Sequence, residues 1–172
     1  GYLIGSVLSK SNNIIQTMKD LVFGGVKVCG LTRLEDAQCA YDFGATYGGL
    51  IFAPDSPRKV SLREAQVIAQ SPLQMVGVFA NQPIDQIIDY AIKLNLTVIQ
   101  LHGNESPDYI LSLRQSLKSD CQIWLALDGN HTLPTQLPAA VDKLIIDNKT
   151  TYFGGTGSCF DWRALRNHPL VD

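Results

Sequence analysis

Short apolar runs recur along the chain at Val26–Cys29, Gly49–Phe52, Met75–Phe79, Thr97–Leu101, Ile123–Leu127 and Leu144–Ile146. Their length and composition predict strands covered on both faces, as in a parallel sheet. Helical patterns fill the gaps. Thr32 and Glu35 have the spacing of a capping box for a helix that stops at Gly44, and Ser61 and Glu64 repeat it for the next helix. Ile84, Ile87, Ile88, Ala91 and Ile92 form one apolar stripe at helical spacing. Ser106 followed by Pro107 predicts an N-cap and a first helical position ahead of Ile110, Leu113 and Leu117. Asp128-Gly129, after the fifth run, reads as a turn.

Strand, helix, strand repeated six times is a βαβ series, with helices covering a parallel sheet. An open doubly wound sheet and a closed (β/α)8 barrel both fit. Six units occupy residues 25–172. Closure needs eight strands, so the α/β class expected is a (β/α)8 TIM barrel truncated after about six βα units. The first 24 residues do not fit as another unit of that series. Tyr2-Leu3-Ile4-Gly5-Ser6 reads as a strand entering a small-residue turn, and Ile14, Ile15, Met18, Leu21 and Val22 as a helix stripe ending at Gly24. This is the pattern of the tail of another βα structure, joined with almost no linker.

Composition narrows the function classes. The 172 residues are 45% hydrophobic and 17% charged, with a net charge of −2. No basic excess points to nucleic acid. No apolar run approaches the roughly 20 residues that span a bilayer, and no basic-then-apolar leader opens the chain. The missing initiator Met suggests that the start lies elsewhere. Cys29, Cys39, Cys121 and Cys159 form no CxxC pair and match no zinc or disulfide framework. Free thiols point to a reducing cytoplasm. Cys39 and Cys121 read as small buried hydrophobes. Neither a metal nor a cofactor is expected.

In parallel α/β folds ligands bind beyond the carboxyl ends of the strands. Strand side chains alternate, so Lys27 shares a face with Cys29, Gln100 with His102, and Lys143 with Ile145 and Asp147. If the purely apolar parity faces the helices, then Cys29, His102 and Asp147 point toward the barrel axis at its upper rim. Each also has a plainer reading: core filler, a hydrogen-bonded structural histidine, the start of a turn. Arg58, after the second strand, is either a surface cation or a bidentate anion clamp. Gly154-Gly155-Thr156-Gly157 is either a flexible loop or a phosphate cradle.

Together, several segments resemble phosphoribosylanthranilate isomerase in family order. They are Lys27-Val28-Cys29-Gly30-Leu31-Thr32, Gly49-Leu50-Ile51-Phe52 with Ser56-Pro57-Arg58, Val76-Gly77-Val78-Phe79, Gln100-Leu101-His102-Gly103, Ile146-Asp147, and Gly154–Gly157 with Phe160-Asp161-Trp162. The resemblance covers residues 25–172. Residues 1–24 resemble the last strand and helix of indole-3-glycerol-phosphate synthase, with Gly5 and Ser6 in a phosphate-binding turn. The join at Phe23-Gly24-Gly25-Val26 resembles that of the fused bifunctional enzyme of enteric-type bacteria.

The resemblance implies an Amadori rearrangement of an N-aryl aminoaldose phosphate to an aminoketose. Asp147 would be the general acid and Cys29 the base. Arg58 would hold the anthranilate carboxylate, His102 would line the pocket, and Gly154 and Gly155 would help close over the substrate. The family grips the substrate phosphate with loops after the seventh and eighth strands, so the fragment alone is expected to be an open barrel with little activity. The parent is expected to be a monomeric, cytoplasmic bifunctional protein, with a phosphorylated small molecule as its partner and neither nucleic acid nor membrane. An ordinary Asp titrates near about 3.9 and an ordinary Cys near about 8.5. The acid therefore needs desolvation or anionic neighbours, and Lys27 is a candidate for favouring the thiolate. The alternatives are another phosphosugar barrel isomerase and a non-catalytic phosphate-binding α/β module.

Overall fold

The computed structural model describes residues 14–147, 162–166 and 168–170. Helix α1 (Ile14–Phe23) precedes β1 (Lys27–Cys29), α2 (Leu34–Asp42), β2 (Tyr47–Ile51), α3 (Leu62–Ile68) and β3 (Gln74–Phe79). These are followed by α4 (Ile84–Lys93), β4 (Val98–Leu101), α5 (Pro107–Ser116), β5 (Gln122–Asp128), β6 (Lys143–Asp147) and a 3-10 turn at Trp162–Leu165. The six strands are all parallel and lie in the order β1-β2-β3-β4-β5-β6. Sequential order is barrel winding. A doubly wound sheet would reverse at a switch point.

Side-chain parity splits the apolar residues into two layers. Leu50, Phe79, Ile99, Leu101 and Ile123 face the helices and pack with Ala65, Ile87 and Leu113. Phe79 stacks on Phe52 at 5.1 Å, and Tyr90 meets Phe52 edge-on at 4.9 Å. The opposite parity places Ile51, Val76, Val78, Val98 and Trp124 in a second, smaller cluster. Both faces are covered, which is why the strands read as near-continuous apolar runs. Each fully buried Ile or Leu contributes about 1.5–3 kcal/mol.

Local signals set most helix starts. At α3 the Ser61 hydroxyl accepts from Glu64 N at 3.3 Å while Ser61 N donates to Glu64 Oε2 at 2.7 Å, the predicted capping box. At α5 Ser106 Oγ accepts from Tyr109 N at 3.2 Å, ahead of Pro107. The α2 helix ends before Gly44, whose φ is +100°. The Asp128 turn forms, with Asp128 Oδ1 accepting from Asn130 N at 2.9 Å.

Four expectations are corrected. Thr32 and Glu35 form no capping box: the N-cap falls one residue later, at Arg33, without a side-chain cap bond. Arg33 instead reaches forward to Asp36 at 2.7 and 2.9 Å. No helix joins β5 to β6, because Pro134 and Pro138 fall in the connection and each removes a backbone donor that a helix needs. Ile92 leaves the α4 stripe and is 63% exposed, whereas Ile87 is fully buried. Cys39 is exposed rather than buried, since it lies about 200° around α2 from the buried Ala37. Cys121 is buried as expected. Gly5, Ser6, Gly154, Gly155 and Cys159 lie outside the described residues.

Candidate active site at the strand ends

One cavity of about 200 Å³ lies over the inner face of the sheet at the C-terminal ends of its strands. β1 supplies Lys27 and Cys29, β4 and the residue after it supply Gln100 and His102, and β6 supplies Ile145 and Asp147. Ser56 and Arg58 close it from the loop after β2, over apolar Ile51, Ala53, Val78 and Ala80. β1 and β6 are the two edges of the sheet, yet both wall one cavity. The sheet therefore curls around it, bringing together residues 118 positions apart in the chain, from Cys29 to Asp147.

Cys29 pairs in register with Gly49 of β2. A Cβ on Gly49 would stand 2.9 Å from Cys29 Sγ and 3.0 Å from Lys27 Nζ. Thiol and ammonium thus both lean over the bare glycine, and since both distances start from one point, they lie within their sum, 5.9 Å, of each other. Cys29 is exposed, open to a ligand in the cavity.

Arg58 is aimed by the end of β1. Its Nη1 donates to the Cys29 carbonyl at 3.0 Å. The guanidinium lies over Gly30, whose φ is +84°, and a Cβ there would meet Nη1 at 2.6 Å. Positive φ and the close approach both require glycine. Among the described residues no carboxylate pairs with Arg58, so its planar fork has donors left for a ligand carboxylate.

His102 Nε2 lies 3.3 Å from Asp147 Oδ2, with side-chain exposures of 11% and 39%. The distance suits an ion pair when the imidazole is protonated, but the angle does not make a hydrogen bond, and buried Nε2 has no other partner among the described residues. Charge attraction without a directed bond leaves the His102 imidazole able to turn toward a ligand. Below them Gln100 is 4% exposed, and no donor among the described residues reaches its Oε1.

Four residues singled out from sequence, Cys29, Arg58, His102 and Asp147, meet at this cavity. Lys27 joins them as a wall residue. Gln100 and Ser56 went unselected. Gln100 was signalled by its parity with His102, whereas only the folded loop brings Ser56 in. The set offers a thiol, a carboxyl group, an imidazole and a guanidinium around an apolar floor, the equipment for moving protons on a ligand held by its carboxylate.

Comparison with known proteins gives this arrangement a context. The family model described as N-(5'-phosphoribosyl)anthranilate (PRA) isomerase matches residues 26–171. The tryptophan biosynthesis protein TrpCF of Salmonella typhi is 46% identical over 173 aligned residues, spanning all of this chain but 38% of that protein. Its counterpart in Vibrio cholerae is 44% identical over 170, spanning 98% of this chain and 36% of that protein. The chain thus spans little more than a third of the length of these relatives. Among solved structures, phosphoribosyl anthranilate isomerase from Thermus thermophilus superposes with a TM-score of 0.72 at 29% identity, covering 85% of this chain and 70% of that one. A phosphoribosyl anthranilate isomerase in complex with reduced 1-(o-carboxyphenylamino)-1-deoxyribulose 5-phosphate gives 0.56 at 33%, covering 60% and 53%.

Proposed function

The chain belongs to the N-(5'-phosphoribosyl)anthranilate isomerase family, and from that membership we propose that it isomerises an N-aryl aminoaldose phosphate to the aminoketose within a longer tryptophan-biosynthesis protein. One observation carries the assignment to these residues: Cys29 and Asp147, from opposite edges of the sheet, wall one cavity together with Arg58 and His102.

The proposed chemistry is general acid–base catalysis on a clamped substrate. Arg58 binds the aryl carboxylate through its free guanidinium donors. Protonated Asp147 gives its proton to the ribose ring oxygen, the ring C–O bond breaks, and the anilino nitrogen's lone pair forms the Schiff base. Cys29, as thiolate, removes the proton from C2, and those electrons move to make the enamine, which tautomerises to the ketone. Asp147 is partly open to water without a ligand. A bound dianionic substrate would displace that water and add negative charge, both of which favour the protonated acid. The Lys27 ammonium lies beside the sulfur over the bare face of Gly49. His102 is proposed to line the sugar site, and the loop holding Gly154 and Gly155 to close over it.

The relatives match the whole chain whereas the family model begins at residue 26. This supports assigning residues 1–24 to the end of a preceding indole-3-glycerol-phosphate synthase barrel, with Gly5 and Ser6 in its phosphate turn and residues 25–172 in the isomerase. The parent is proposed to be a monomeric bifunctional cytoplasmic enzyme. Among the described residues no helix is long and apolar enough to cross a membrane.

Loss of anthranilate fluorescence in the full-length protein tests the mechanism. Cys29→Ser and Asp147→Asn should each slow turnover by about 10²- to 10⁴-fold, the range of general acid–base catalysis. Wild-type turnover by either variant would overturn the assignment.

A further inference from the structure

Gln100 breaks the pattern of its surroundings. It occupies the inner parity of β4, in register with Val78 of β3 and Trp124 of β5. Those neighbours are buried and apolar. Its own side chain is 4% exposed, and its Oε1 finds no donor among the described residues. A buried amide oxygen without a partner is costly and rare in folded proteins. Trp124 has a donor in the same layer, but its Nε1 goes to Gln122 Oε1 at 2.8 Å. Gln100 lines the cavity together with Cys29, His102 and Asp147.

We propose that Gln100 is a substrate-orienting residue whose side-chain amide hydrogen-bonds a hydroxyl of the sugar chain at the reacting carbons. The proposal rests on the isomerase assignment and adds a contact to it. Gln100 lies two residues before His102 on β4, about 6.6 Å deeper along the strand, so it forms the floor between the Cys29 and Asp147 walls. A sugar with C2 at the thiol and its ring oxygen at the carboxyl group must lay the carbons between them over that floor. The hydroxyls those carbons carry both donate and accept, as the two ends of the amide do, so the amide finds a partner there.

The test uses Gln100→Met, which keeps the length of the side chain and removes its hydrogen-bonding atoms, in the full-length protein. Three quantities are read: kcat and KM from anthranilate fluorescence, the affinity for reduced 1-(o-carboxyphenylamino)-1-deoxyribulose 5-phosphate, and Tm. The loss of one bond to a buried ligand hydroxyl predicts a kcat/KM about 10- to 100-fold lower and a comparable weakening of the analogue. Tm should hold or rise, because the fold loses no bond of its own. Parent-like kinetics and analogue affinity would overturn the proposal. So would a Tm lowered by more than about 5 °C, which would mean that the amide supports the fold. If the parent protein itself neither turned over substrate nor bound the analogue, the isomerase assignment would fall with it. Turnover in the parent matched by Gln100→Met sinks the Gln100 contact alone.

Discussion

Two adjacent glycines of β2 allow the site to be separated from the fold. Gly49 faces the cavity, where an added Cβ would stand 2.9 Å from Cys29 Sγ, 3.0 Å from Lys27 Nζ and 3.1 Å from Cys29 Cα. Gly48 faces the helices, where it would stand 2.9 Å from Leu31 Cδ1 and 3.0 Å from Leu73 Cδ1. Comfortable contact is about 3.5–4.0 Å, so Gly49→Ala must displace the sulfur by roughly 0.6–1 Å. The Lys27 ammonium swings away easily. The Cys29 backbone does not, because Gly30 N and Leu31 N both bond to the Gly49 carbonyl, at 2.9 and 3.0 Å. Overpacking of this kind costs about 1–3 kcal/mol in either variant, a Tm lowered by roughly 2–10 °C. Their activities should diverge. Misplacing a reacting group by about 1 Å costs on the order of 10²-fold, about 2.7 kcal/mol of barrier. Gly49→Ala should therefore lower kcat/KM about 10²-fold in the anthranilate fluorescence assay, while Gly48→Ala stays within about threefold of the parent at a temperature where both are folded. Equal kcat/KM for the two would refute the claim that the Cys29 sulfur is set by the bare face of Gly49.

Two further outcomes follow from titrating groups away from the cavity. The Ser61 hydroxyl and then its backbone N–H hold the Glu64 carboxyl below its ordinary range. A depressed carboxylate contributes its stability fully above the unfolded pKa, and loses it as pH falls through the folded value. Ser61→Ala should thus lower Tm clearly at pH 7, with a gap to the parent that narrows below about pH 4; a gap of constant size would contradict the capping geometry. Burial pushes the Cys121 thiol up to about 11. At pH 8 iodoacetamide should therefore modify exposed Cys39 while sparing Cys121, by about 10²-fold given the smaller thiolate fraction. Peptide mapping that found both labelled at one rate in the native protein would count against the buried placement.

The strands were legible because burial on both faces leaves a strong signal, and all six fall within two residues of their expected ends. The same alternation carried Cys29, His102 and Asp147 to the inner face, since a period of two leaves only two choices once the apolar parity is assigned. Capping boxes were less certain because their spacing fits wherever the chain enters the helix. Ser61 enters at the required residue and Thr32 misses it by one, so only the first makes its bonds. The β5–β6 connection shows the opposite failure. A repeating pattern suggested a helix there, and Pro134 and Pro138 overrule it. Arg58 could be suspected from its position after β2, but its aim depends on the Cys29 carbonyl 29 residues earlier in the chain. No local pattern encodes that distance.

Polar residues on the inner face separate by what the fold does with them. At the β5 and β6 edge, Gln122 accepts from Trp124 Nε1 at 2.8 Å and the Lys143 ammonium lies 4.6 Å above the Trp124 ring, so each has a partner within the protein. At the upper rim Asp128 is bound by Asn130 N. Gln100 Oε1 and His102 Nε2 are buried on the same face without a hydrogen bond among the described residues, and both belong to the cavity that Cys29 and Asp147 enclose. Local rules are expected to fail at functional sites, and here two kinds of failure coincide. Polar atoms go unsatisfied beside apolar Val78, Val98 and Trp124, and glycines at positions 30 and 49 leave bare backbone where side chains crowd. Packing alone would favour replacing the amide with a hydrocarbon. A ligand that bonds to the amide removes its cost, and the glycines let Arg58, Cys29 and Lys27 close in on that ligand, which makes the cavity, rather than any single residue in it, the unit on which function depends.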